Sequence, residues 1–299
     1  MDISIWLIAT SVTKLLLYFC IAAAISGGGL YWTYFSDTQL LSSIKTYLVA
    51  ASVIGVLLTA VNFLIQVGAI SENGLIGMFD TTFIAILWQS KLGDSVLFKS
   101  IGFVLVLIAS LAFNLANQKN WKHNLFLIGA FYATSLIIFG YSFGLIGHTA
   151  ELSIGVKLAA IYHVLLVLWW MGMLYPLYRS CAVLTNQELH GLMRRFGIVA
   201  SYAVALLILC GGIIAYSLFD SFDALFFSNY GQLFLLKILG VNGLLLIAAN
   251  HKLRLVPALL EKTNTSVELS RSIRIEIYVG ILVLIVTTML TTLVGPRLT

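Results

Sequence analysis

The stretch Phe196–Phe219, FGIVASYAVALLILCGGIIAYSLF, carries no charged side chain and decides the class of fold. A hydrocarbon core of about 30 Å is crossed by roughly 20 apolar residues in a helix, so this run is long enough to span a membrane. Comparable runs lie at about 4–30, 43–69, 95–116, 124–147, 156–178, 230–250 and 273–294, making eight with the first. None alternates strictly between apolar and polar positions as a barrel strand does, and a helix satisfies its own backbone hydrogen bonds in lipid. The expected fold class is therefore all-α, a polytopic membrane bundle of about eight helices.

Composition agrees. Hydrophobic residues make up 60% of the 299 positions and charged residues 10%, with a mean hydropathy of +1.01. Soluble domains carry roughly 25% charged residues, and too few are present here to cover a water-facing surface. With three prolines and no linker-like stretch, residues 1–299 read as one integral membrane domain with approximate parts 1–122 and 123–299. Cys20, Cys181 and Cys210 are far apart and show no CxxC spacing, which gives no disulfide framework. The segment Leu75–Ser90, interrupted by Asp80 and Gln89, is too short to span and reads as an interfacial or re-entrant helix. No short signal-peptide pattern opens the chain, so the first run is expected to stay in the mature protein.

Orientation follows from Lys and Arg, which accumulate in cytoplasmic loops. Lys45, Lys119, Lys122, Arg179, Arg194, Arg195, Lys252, Arg254, Lys262, Arg271 and Arg274 fall around the odd-numbered connections. Both termini are thus expected outside, in a bacterium on the periplasmic side of the inner membrane. Glu72, Asp80, Asp94, Glu151, Asp220 and Asp223 collect on that side. They either draw cations toward it or simply mark where basic residues are absent. The halves also echo each other. Gly93 and Lys99 at the start of the third span match Gly231 and Lys237 at the start of the seventh, and Gly27–Leu30 resembles Met171–Leu174. Four spans per half would make this a parallel repeat about an axis along the membrane normal.

Ionisable groups inside a membrane cost several kcal/mol unless paired or hydrated, and they mark function by default. Lys14, Lys99, Lys237 and Glu276 are of this kind. The long stems of Lys99 and Lys237 can snorkel to the outer headgroups as anchors. Glu276, beside Arg274, is expected to form a salt bridge with it at the cytoplasmic helix end or a helix-end contact. Of five histidines, His123, His190 and His251 fall at cytoplasmic connections, whereas His148 and His163 flank the short outer connection between the fourth and fifth spans. Antiparallel neighbours place those two at similar depth, where they can share one metal ion; the bland reading is that both rings cap helix ends. Imidazole and thioether together select copper, Cu(I) or Cu(II) by the balance of sulfur and nitrogen. Met289, Met78, Met171 and Met173 are the thioethers that would complete the site, although most Met in a membrane helix is packing material. Ligation needs the unprotonated ring, so affinity should fall below about pH 6.5, with Glu151, Thr149 or a backbone carbonyl accepting the other N–H. The absence of Walker A, HExxH and CxxC patterns argues against an ATP-driven pump.

Over residues 147–296 these features resemble the CopD copper-resistance family. The resemblance is carried by Gly147-His148-Thr149-Ala150, His163 followed by Trp169-Trp170-Met171-Gly172-Met173-Leu174, Arg194-Arg195-Phe196, Gly231 with Lys237, Arg254 to Pro257, Arg271 to Glu276, and Gly295-Pro296. Met173 stands where the family has a second small residue, which is expected to remove a close helix contact and add a thioether. The resemblance implies copper transport across the bacterial inner membrane, by import from the periplasm, in copper homeostasis and resistance. It also implies a non-enzymatic transporter, surrounded by lipid and served by a periplasmic copper carrier of the CopC type. Two alternatives stay open: a haem-binding electron carrier, since two histidines on adjacent helices can be axial ligands, and a ligand-free assembly partner.

Overall fold

The computed structural model describes residues 5–33, 38–71, 73–112, 121–146, 153–219, 222–262 and 264–294. Eight helices among them are long and apolar enough to cross a membrane, and no strand occurs among the described residues. In chain order they are α1 (Ile5–Thr33), α2 (Thr38–Ser71), α4 (Lys91–Ala112), α5 (Trp121–Leu145), α6 (Ile154–Val183), α7 (Asn186–Leu218), α9 (Asn229–Asn250) and α11 (Thr265–Met289). Three short helices complete the set: α3 (Thr81–Trp88), α8 (Phe222–Phe227) and α10 (Val256–Ala258). The segment expected to be interfacial is a 3₁₀ turn, Gly74–Phe79, followed by α3, whose start is capped by Asp80 accepting from the Thr82 and Phe83 amides.

Several helices run past the apolar windows because local signals extend them. Thr185 and Glu188 form a reciprocal capping box that starts α7 ten residues before the apolar run begins at Phe196. Arg194, Arg195, Arg271 and Arg274, expected around loops, accordingly lie on helices. The seventh span continues past Asn250 into a π-helical turn, His251–Leu255, before α10. The Val256 amide donates to the His251 carbonyl, five residues back. Pro257 has no N–H for the Leu253 carbonyl, and its ring crowds that same carbonyl, so an ordinary α-turn cannot close there.

Helix α1 sits against five other spanning helices, α2, α4, α5, α6 and α11. Its Ile21, Ala22, Ala23 and Ala24 are almost wholly buried. At Gly172 of α6 a Cβ would strike the Ala22 carbonyl, so the two backbones touch there, as small residues allow in membrane bundles. Met173, the next residue, is buried in the core. One cluster of buried side chains runs through both parts of the chain, from Leu17 and Leu48 through Phe103 and Phe139 to Leu168, Leu189 and Ile273. The outside is apolar: Leu57, Ile137, Leu246 and Leu282 are exposed aliphatics that contact lipid.

The third and seventh spans start alike. Each follows a short helix, α3 or α8, and each begins after a serine whose hydroxyl accepts a backbone N–H: Leu92 onto Ser90 at 3.2 Å and Gly231 onto Ser228 at 2.9 Å. The echo is therefore Ser-x2-Gly-x5-Lys rather than Gly-x5-Lys. The halves differ in packing, since α2 lies closely along α4 whereas α7 scarcely touches α9.

Candidate functional site

His163 lies half-buried on α6, nine residues from the helix start. Its Nδ1 is 3.2 Å from the Leu207 carbonyl of α7. A carbonyl oxygen only accepts, so Nδ1 carries the proton and a neutral ring presents its Nε2 lone pair. The ring fits because Gly211, one turn on from Leu207, has no side chain: a Cβ there would stand 3.2 Å from His163 Cε1. Lys237 of α9 is close enough for its charge to act on this imidazole. His148, its expected partner, lies outside the described residues, as do Thr149, Glu151 and Glu72.

The thioethers are dispersed. Met78 packs against Gly68 of α2, Met173 is in the core, and Met289 is exposed near the end of α11. Met171 lies on α6 with its sulfur against Gly280 of α11. No group of three or more His, Cys, Asp or Glu forms among the described residues. The three cysteines are free thiols.

A second polar cluster, which the sequence reading did not assemble, joins α6, α11 and the π turn after α9. Glu276 is 2% exposed. Its Oε1 accepts from Trp170 Nε1 at 2.9 Å, and its Oε2 lies 3.3 Å from His251 Nδ1. The other nitrogen of His251 is 2.7 Å from Ser272 Oγ. The expected pairing of Glu276 with Arg274 does not occur. Residues two apart on a helix point to different sides, and Arg274 instead donates to the Tyr178 hydroxyl at 3.1 Å and stacks 5.5 Å from that ring. Ser272 and Glu276 are four apart, hence on one face, and meet the same imidazole. That i,i+4 spacing was the available signal; the partner 21 residues earlier was not.

Lys14 Nζ donates to Thr291 and Thr292 at 2.9 and 3.3 Å, tying α1 to the π-helical turn Leu290–Val294. Asn62 donates to Thr13 at 2.7 Å and accepts from Gln66 at 2.9 Å. Lys99 sits 5.9 Å from the Phe143 ring centre, within electrostatic reach of Lys14.

Eight helices long and apolar enough to span, with imidazole and carboxylate groups held among them, define a multi-pass membrane protein. Residues 190–290, which run from within α7 to the end of α11, match the family described as CopD, copper resistance protein D. No curated protein and no solved structure matches the chain.

Proposed function

We propose that this protein carries copper across the bacterial inner membrane, taking it from the periplasm through an outer site formed by His148 and His163. The observation that carries this reading is the Leu207 carbonyl on His163 Nδ1. Metal-binding histidines commonly give their second N–H to such an acceptor, which fixes the tautomer and aims the remaining nitrogen. The family match supplies copper as the cargo. In this reading the protein is a transporter rather than an enzyme, both termini are periplasmic, and a CopC-type carrier delivers copper to the outer face.

The test is copper uptake and retention by the full chain in proteoliposomes, with His148→Ala and His163→Ala singly and together. Each single variant should lose most uptake, and the pair should abolish it. Unchanged copper retention in the double variant, with normal membrane insertion, would remove the outer site. Orientation is checked with a reporter fused after Thr299, expected to be active only outside the cytoplasm; activity confined to the cytoplasm would reverse the topology.

A further inference from the structure

We propose that His251 and Glu276 form a second, inner metal station, a nitrogen–oxygen pair for a borderline first-row dication, with Cu(II) the tightest-bound. The inference rests on the reading of the protein as a copper carrier, and its geometry is independent of the outer site.

Both groups have one coordinating atom tied and one free. Trp170 holds Glu276 Oε1 and Ser272 holds His251 Nε2, which leaves Oε2 and Nδ1 facing each other at 3.3 Å. Metal ligands are oriented in this way, a ligating imidazole or carboxylate being fixed through its second polar atom. The separation also fits. Bonds of about 2.0–2.2 Å to nitrogen and oxygen, meeting at ~90–110°, place neighbouring ligands roughly 2.8–3.5 Å apart. A charge-assisted N–H···O contact is shorter, about 2.7–2.9 Å.

Charge gives the second argument. A buried carboxylate needs a compensating positive charge. Arg274, the nearest guanidinium in sequence, is engaged with Tyr178. In the tautomer in which Ser272 accepts from Nε2–H, the Nδ1 lone pair faces a carboxylate oxygen, and a cation between them satisfies both. A mixed nitrogen and oxygen site follows the Irving–Williams order, in which copper(II) leads. Further donors are water or the Met171 thioether, whose sulfur rests against Gly280, one turn from Glu276 on α11. The station lies along the path from the outer site, because α6 carries both His163 and Trp170, two turns and about 10 Å apart.

The experiment titrates the detergent-purified full chain with Cu(II) and follows bound metal by elemental analysis and electron paramagnetic resonance. The native protein should show a Cu(II) signal with nitrogen coupling. A His251→Ala/Glu276→Gln variant should lose one equivalent of copper and its share of the nitrogen-coupled signal, whereas His163→Ala should lose the outer equivalent and keep the inner one. Ser272→Ala, which leaves the ligands in place but unties the ring, should weaken the inner site by about 10- to 100-fold. Equal copper and an unchanged signal in the folded double variant, or native affinity in Ser272→Ala, would overturn the inference. Uptake is scored separately in proteoliposomes from the same preparations. Transport that survives loss of both inner residues overturns the inner station; an inner site that binds copper in a protein that does not transport it keeps the station and overturns the transport reading alone.

Discussion

A single glycine sets how closely α1 and α6 approach. At Gly172 the α6 backbone lies on the Ala22 carbonyl of α1, and Tyr47 donates to the Gly172 carbonyl at 3.3 Å. Gly172→Val places atoms where the α1 backbone already is, which forces the helices apart. It should cost about 1–3 kcal/mol and lower the thermal midpoint in detergent. Gly191→Ala on α7, where nothing stands within 4 Å, should be neutral or slightly stabilising. Equal midpoints for the two variants would show that the contact does not limit packing. The Trp170–Leu174 motif was visible in the sequence, but which of its residues meets α1 was not, because that depends on the rotation of α6. The same holds for Glu276. Its membrane burial was legible from hydropathy, yet its partners were settled by helix phase, which separates it from Arg274 and turns it toward Trp170 and His251.

Hydropathy located all eight spanning elements, because a continuous apolar run has few alternatives in lipid. It placed their ends poorly, since helix ends are decided by capping and proline chemistry instead. Thr185 and Glu188 start α7 among polar residues, and the Ser90 and Ser228 caps were overlooked although both serines stand three residues before the noted glycines. The π turn at His251–Leu255 was equally invisible, although Pro257 is plain in the sequence. Replacing Pro257 restores an N–H for the Leu253 carbonyl and lets an α-turn close. A lost π turn shifts the register by one residue, which rotates His251 by ~100° about the helix axis relative to α10. Pro257→Ala should therefore weaken Cu(II) binding much as His251→Ala does while leaving the fold intact. Native Cu(II) affinity in that variant would show that the turn does not position the imidazole.

Across the whole molecule, the two halves share a feature that composition alone does not require. Lys14 of the first span lies within electrostatic reach of Lys99 of the third, and Lys237 of the seventh lies within electrostatic reach of His163 of the fifth. In a parallel repeat the first span corresponds to the fifth and the third to the seventh, so each lysine addresses the equivalent neighbour. Under that correspondence one half carries a lysine near a lysine and the other a lysine near an imidazole. Electrostatics makes the consequence specific. In an effective dielectric of about 20, two unit positive charges oppose each other by about 4 kcal/mol at ~4 Å, falling off as the inverse of distance. If His163 binds copper, Lys237 weakens that binding, and Lys237→Met should tighten outer-site copper by roughly tenfold or more in equilibrium dialysis. Lys99→Met removes the same charge beside Lys14, away from any proposed ligand, and should leave copper affinity within about twofold. Equal effects of the two substitutions would point to a change in overall surface charge, and no effect of Lys237→Met would mean that no metal occupies the His163 imidazole.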